Sequence, residues 1–239
     1  MLFAAGFAIV MSETERRDKM LKYPCLVLDH DDTVVQSEAT VHYPCFREFL
    51  SRIRPGQSIT LSQYTHGCYH LGFPTLCRQV YHLTDEEMEQ EYQFWKQYTA
   101  SHMPQLFPGI KALLCSYRAA GGRICVVSHA LEKTILRDYQ AMLGFSPDAV
   151  FGWDLPEAQR KPSPYPLACI MDTFHLAPEQ LLVVDDMKPG REMAQAAGCP
   201  FAFAGWGKKD CPEILEEMAA LCDHAFAEVA ELGHFLFEN

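Results

Sequence analysis

Two groups of carboxylates stand where apolar sequence gives way to polar sequence. Asp29-His30-Asp31-Asp32-Thr33 begins at the end of the apolar run Cys25–Asp29, and Asp185-Asp186 closes the run Leu181–Asp185. Ser128 ends a third run, Ile124–Ser128, and Lys161 precedes the prolines Pro162 and Pro164. Carboxylates can attack an electrophile, exchange a proton or hold a hard cation. A hydroxyl and an ammonium can hold the oxygens of an anion. Singly, each has an ordinary alternative: the aspartates as turn formers or helix caps, Ser128 as an N-cap, Lys161 as a solvated surface lysine. Their weight lies in occurring together, which depends on the elements that carry them.

Those elements read as an open, doubly wound α/β sheet. The three runs above, with the looser Phe201–Gly205 and Ala149–Trp153, have the continuous apolar character of strands buried on both faces of a parallel sheet. Between them, Lys111–Ala120, Leu131–Leu143, Pro164–Phe174 and Arg191–Ala197 have helical periodicity, and Gly121-Gly122, Gly144 and Gly198 fall where helices end. Strand and helix in alternation give parallel strands, and ligands of such sheets bind outside the carboxyl ends of the strands. Asp29, Ser128 and Asp185 all lie at such ends.

One interval breaks the alternation. Between Glu38 and Phe107 there is no strand run, only helix-like segments at His42–Ile53, Pro74–Val80 and Thr84–Thr99, the last opened by a Thr84-x-x-Glu87 capping box. This exceeds what a crossover between neighbouring strands needs, so 38–107 is expected to be a helical module inserted into a core made of 20–37 and 108–239. Within it, Tyr64–His70 reads as a glycine-punctuated aromatic and histidine segment between helices, with His66 and His70 as candidates for selecting a substrate.

With these motifs in order, the sequence resembles the haloacid dehalogenase superfamily, in its helical-cap branch of phosphoglycolate phosphatase and β-phosphoglucomutase type. The resemblance rests on D-x-D-x-T at Asp29–Thr33, Ser128 ending the second strand, Lys161 before a proline-rich helix start, the acidic pair Asp185-Asp186 ending the fourth strand, and FPGI at Phe107–Ile110 on the return from the cap. It runs from about Tyr23 to the carboxyl terminus, and over the cap it rests on size and helicity alone. It implies a Rossmann-like core and a magnesium-dependent phosphatase of small phosphate monoesters. Asp29 would be the nucleophile, forming an aspartyl-phosphate, and Asp31 the acid and base. Mg2+ would be held by Asp29, the backbone carbonyl of Asp31 and Asp186, with Asp185 holding a coordinated water. Ser128 and Lys161 would hold the phosphoryl oxygens, and Thr33 would buttress the nucleophile loop.

Two positions depart from the family pattern. Asp32 stands where glycine is common, and Gly190 replaces a downstream acid, so that Asp185 must serve as the second acid. His30, between the two catalytic acids, points away from them in extended geometry and reads as a packing residue. A phosphomutase would use the same acids, and a non-catalytic phosphate-binding protein could keep the fold. Dehalogenation has no use for Asp31 or a cation, and phosphonate hydrolysis needs a Schiff-base lysine, whereas Lys96 is the sole lysine of 38–107 and lies in the wrong part of its helix.

Bulk composition narrows the partners. Acidic residues outnumber basic ones 31 to 20, for a formal charge of −11, and no basic run offsets this, so a nucleic-acid polymer is not an expected partner. The ten scattered cysteines read as reduced core thiols of a cytoplasmic protein. Cys68-x-His70 and Cys222-x-His224 lack a second half for a zinc site. The apolar residues 1–11 are too short to span a bilayer and lack a basic leader, so no membrane role is expected. Translation from Met11 or Met20, or packing of the segment on the surface, is the expected reading. Oligomeric state is left open by the sequence.

Overall fold

The computed structural model describes residues 21–237; the expectations for the amino-terminal segment and its start site lie outside them. Six parallel strands form one sheet in the order β3-β2-β1-β4-β5-β6. They are β1 (Cys25–Leu28), β2 (Arg123–Val127), β3 (Ala149–Phe151), β4 (Leu181–Asp185), β5 (Phe201–Ala204) and β6 (His224–Phe226). β1 is buried throughout. Its Leu26 and Leu28 join a core with Ile110, Leu114 and Ile135 on one face. Cys25 and Val27 join a second core with Leu167, Ile170 and Met193 on the other. Burial on both faces is why the strand reads as an unbroken apolar run.

The chain builds outward from β1 through β2 to β3, then returns to the other side of β1 to lay down β4. The switch point therefore lies between β1 and β4, the place where an open α/β sheet leaves a crevice at its carboxyl edge. Leu28 pairs in register with Val126 of β2 and with Val184 of β4. Asp29, Ser128 and Asp185-Asp186 thus emerge side by side.

The interval after β1 is helical. A π-helical turn, Glu38–His42, leads into α1 (Tyr43–Ile53), followed by α2 (Leu61–Leu71), a helical stretch over Phe73–Val80 and α3 (Asp85–Ser101). Phe46, Leu50, Tyr64, Leu76 and Tyr81 form a hydrophobic cluster of their own, separate from the two cores on the sheet. α3 starts with the expected capping box between Thr84 and Glu87.

α2 corrects the sequence reading of a segment between helices. Thr60 and Gln63 form a capping box that starts the helix. Gly67, which looked like punctuation, sits inside it because the Leu76 side chain occupies the space of a Cβ: one built there would lie 2.6 Å from Leu76 Cδ1. The other helices are α4 (Ile110–Ala119), α5 (Glu132–Leu143), α6 (Tyr165–Phe174), α7 (Lys188–Ala197), α8 (Pro212–Leu221) and α9 (Val229–Phe237). α5 and α7 end on left-handed Gly144 and Gly198. Ser128 is not an N-cap; α5 begins after Leu131.

Candidate active site

The peptide N–H of Asp29 donates to the Val184 carbonyl at 2.9 Å, extending the β1–β4 ladder by one step and fixing where the Asp29 side chain leaves the sheet. The chain then folds into a tight loop, in which Asp32 N–H donates to Val35 O at 2.8 Å and Val34 N–H to His30 O at 3.0 Å. The loop requires a left-handed residue, and Asp32 takes that conformation at φ +53. This is why glycine would be common there, and aspartate is among the side chains that tolerate the conformation best.

Lys161 draws the acidic residues together. Its Nζ lies 2.7 Å from Asp29 Oδ1 and 2.6 Å from Asp185 Oδ2, and its side chain is 5% exposed. Burial opposes its charge, yet Asp185 and Asp29 more than compensate and hold the ammonium well above the ordinary lysine range. Asp185 is also held from behind, since Met187 N–H donates to its Oδ1 at 2.8 Å. Gly190 explains itself here: a Cβ at this position would stand 2.1 Å from Asp185 Oδ2, so only glycine lets α7 pass so close to the carboxylate. Burial pushes the Asp185 carboxyl up to about 8 against the opposing charge of Lys161.

Carboxylate oxygens of Asp29, Asp185 and Asp186 lie within 4.8 Å of one another, the one grouping of possible metal ligands among the described residues. All are hard oxygen donors, the set that suits Mg2+ rather than a softer metal. Ser128 is buried at the end of β2, its Oγ accepting from Ala130 N–H at 3.2 Å. Its neighbour His129 is kept neutral by burial and by Lys161, its pKa lowered to about 4. Thr33 Oγ1 donates to Asp186 Oδ1 at 3.4 Å, a long contact that ties the nucleophile loop to β4.

Asp31 turns the other way, towards the π-helical turn. Its Oδ1 lies 3.0 Å from His42 Nε2. Trp95 on α3 donates its indole N–H to His42 Nδ1 at 3.2 Å. Because an indole can only donate, Nδ1 accepts and Nε2 carries the proton that faces Asp31. Burial favours the neutral Asp31 carboxyl, but the His42 N–H that faces it outweighs burial and holds the group below the usual carboxylate range. His30 is buried, 3.1 Å from Asp138 Oδ2 with its ring against Tyr139, in keeping with a packing role.

Sequence reasoning did not find His42, Trp95 or Lys208. Lys208 is buried beside Asp186, Asp32 and Glu38. A lone histidine or lysine carries no local pattern, and only the tertiary fold brings these groups to the carboxylates. His66 Nε2 bonds to Glu213 on α8, and the His70 ring lies tilted beside it, exposed on the same helix.

Sheet, switch point and lysine-bound carboxylates define an α/β protein with an acidic site at its carboxyl edge, three of whose carboxylates could hold a cation. The chain belongs to the haloacid dehalogenase-like hydrolase family, whose model matches residues 26–204. Among relatives, phosphoglycolate phosphatase of Vibrio cholerae is 29% identical over 128 residues, 53% of this chain and 52% of that protein. The Rhodospirillum rubrum phosphoglycolate phosphatase is 32% identical over 133 residues, 55% and 53% respectively. The chain thus spans about half the length of the curated relatives it matches. Similar solved structures include a haloacid dehalogenase-like family hydrolase from Streptococcus pneumoniae, with TM-score 0.71 and 19% identity over 90% of this chain and 98% of that one. CbbY from Rhodobacter sphaeroides in complex with phosphate has TM-score 0.67 and 20% identity, covering 88% and 96%. At these identities the likeness is one of fold. Among the described residues no helix is long and apolar enough to cross a membrane.

Proposed function

We propose that this chain is a Mg2+-dependent phosphatase that hydrolyses a small-molecule phosphate monoester through an aspartyl-phosphate on Asp29, with the helices of 38–107 acting as a cap over the site. The observation that carries this reading is the convergence of Asp29, Asp185 and Asp186 at the switch point with Lys161 bonded into them. Support for the substrate class comes from the phosphoglycolate phosphatases among the relatives and from CbbY, which has also been solved with xylulose-1,5-bisphosphate. The cysteines are free thiols, as a cytoplasmic location would require.

Asp29, the Asp31 backbone carbonyl and Asp186 would hold Mg2+, which when bound neutralises charge between the carboxylates and the phosphoryl oxygens. Asp185, held by Met187 N–H and Lys161, would hold a coordinated water. An Asp29 oxygen attacks phosphorus as the ester oxygen departs; Asp31, ionised beside His42 in the free protein, takes up a proton as the anionic ester enters and passes it to that oxygen. Asp31, now ionised, takes a proton from the water that attacks the aspartyl-phosphate, which releases phosphate and restores Asp29. His42 orients Asp31 from the π-helical turn Glu38–His42, which acts as the hinge between the core and the inserted helices. Lys161 and Ser128 hold the phosphoryl oxygens while charge builds on them.

The test is phosphate release from an aryl phosphate by wild type and Asp29→Asn, with Mg2+ and with excess chelator. Release that requires Mg2+ and vanishes in Asp29→Asn is expected. No release from that ester or from a metabolite panel, by folded protein, would refute the reading.

A further inference from the structure

The second buried lysine of the site lies on the opposite side of Asp186 from Lys161. Lys208 ends the turn Gly205–Lys208 that follows β5, and its side chain is 2% exposed. The Nζ sits 2.9 Å from Asp186 Oδ2, 3.1 Å from Asp32 Oδ2 and 3.0 Å from Glu38 Oε2. These partners come from different parts of the fold: the end of β4, the nucleophile loop and the first residue of the hinge.

The turn that delivers Lys208 is fitted closely to that loop. Trp206 Nε1 donates to Thr33 O at 2.9 Å. A Cβ on Gly207 would lie 2.0 Å from the Asp32 carbonyl oxygen, so the two backbones touch. Asp32, in its left-handed conformation, accepts the Glu38 N–H at 3.0 Å. The other Glu38 carboxylate oxygen accepts from Thr65 on α2. A continuous line of contacts thus runs from Asp186 through Lys208 and Glu38 to the inserted helices. A cleft of about 520 Å³, lined by Asp32, Glu38, Leu61, Trp206 and Lys208 among others, opens beside this line. It leaves the lysine room to move away from Asp186.

We propose that Lys208 is a positioning residue that competes with a divalent cation for Asp186 and reports the cation's presence to the hinge. This rests on the cation site assigned above. Without the cation, the ammonium supplies the positive charge that Asp186 needs in a buried setting. A cation at Asp29 and Asp186 repels an ammonium 2.9 Å from the same carboxylate. The lysine then keeps only its contacts to Asp32 and Glu38, which tightens the loop–hinge contact that α2 also grips.

The test uses Mn2+ as probe and calorimetric binding as readout, so it does not depend on turnover. Lys208→Met is expected to bind Mn2+ about tenfold more tightly than wild type, and Lys208→Arg, which keeps the charge, to stay within about twofold. In wild type, saturating Mn2+ slows amide exchange at the hinge residues 38–42; in Lys208→Met, Mn2+ leaves that exchange unchanged. Binding by Lys208→Met that equals or falls below wild type overturns the proposal, as does an unaltered exchange response. If Lys208→Met does not fold, Lys208→Gln carries the same comparison. Wild type that binds no Mn2+ at millimolar concentration removes the cation site, and both proposals fall. Wild type that binds while the variants match it removes only the role of Lys208.

Discussion

Glu91 tests whether the inserted helices hold an energetic strain readable from the structure. It lies on α3, is 5% exposed, and faces a setting in which burial raises its carboxyl to about 7 from the ordinary 4.5, with His42 opposing. A folded-state value above the unfolded one means that the folded protein binds the proton more tightly. The associated stability is therefore fully present below pH 4.5 and is lost as pH rises towards 7. The gap between the two values corresponds to about 3 kcal/mol once the pH exceeds both. Glu91→Gln removes the ionisation and substitutes an amide, whose incomplete bonding costs about 1 kcal/mol at every pH. Urea unfolding at pH 4 and pH 8 separates the terms. The variant is expected within about 1 kcal/mol of wild type at pH 4 and about 2 kcal/mol more stable at pH 8. A difference between variant and wild type that does not change with pH would show that Glu91 is solvated or paired, and would refute the reasoning.

The other predictions concern the site. Gly190→Ala should push Asp185 off its position, since the new Cβ would meet Oδ2 at 2.1 Å; turnover is expected to fall about 10²-fold with the far-UV spectrum unchanged, and full activity would remove the close-approach argument. His42→Ala takes away the group 3.0 Å from Asp31, so hydrolysis of an alkyl phosphate, whose leaving oxygen needs a proton, should suffer about 10²-fold more than that of a nitrophenyl phosphate. Equal losses on both esters would detach His42 from the acid step. His66→Ala and His70→Ala should leave the ratio of rates across a panel of phosphate esters unchanged, because His66 is committed to Glu213; a shifted ratio would restore the histidines as selectors of substrate.

How far the sequence carried depended on the kind of signal each element leaves. β1, β2, β4 and β5 are central strands buried on both faces, and their apolar runs marked them to within a residue. β6 and its neighbouring helices went unread because His224–Phe226 is a short, half-exposed edge strand with no such run. α2 was missed because a glycine that breaks a helix and one that admits a neighbour's side chain look the same in sequence, and only Leu76 distinguishes them. The carboxylates were legible because strand ends put them at one edge, and Lys161 because a proline-rich helix start follows it. Asp32 and Gly190 were visible as oddities, but their meaning required the partners that fill or crowd them, Lys208 and Asp185.

Those partners reveal a division of labour in the electrostatics. The site gathers Asp29, Asp31, Asp32, Glu38, Asp185 and Asp186, and a phosphate ester adds further negative charge. Two lysines face them, and they are not equivalent. Lys161 joins Asp29 to Asp185 behind it. Lys208 joins Asp186 to Asp32 and to Glu38 of the π-helical turn. Two ammoniums do not balance six carboxylates and a bound dianion, and this imbalance is the electrostatic argument for the divalent cation proposed above. An extra acid at position 32 deepens that need beyond what glycine would impose, and Lys208 offsets it. Both sit on the hinge side of the nucleophile, so the charge introduced where the family commonly has none is spent on the contact between core and inserted helices.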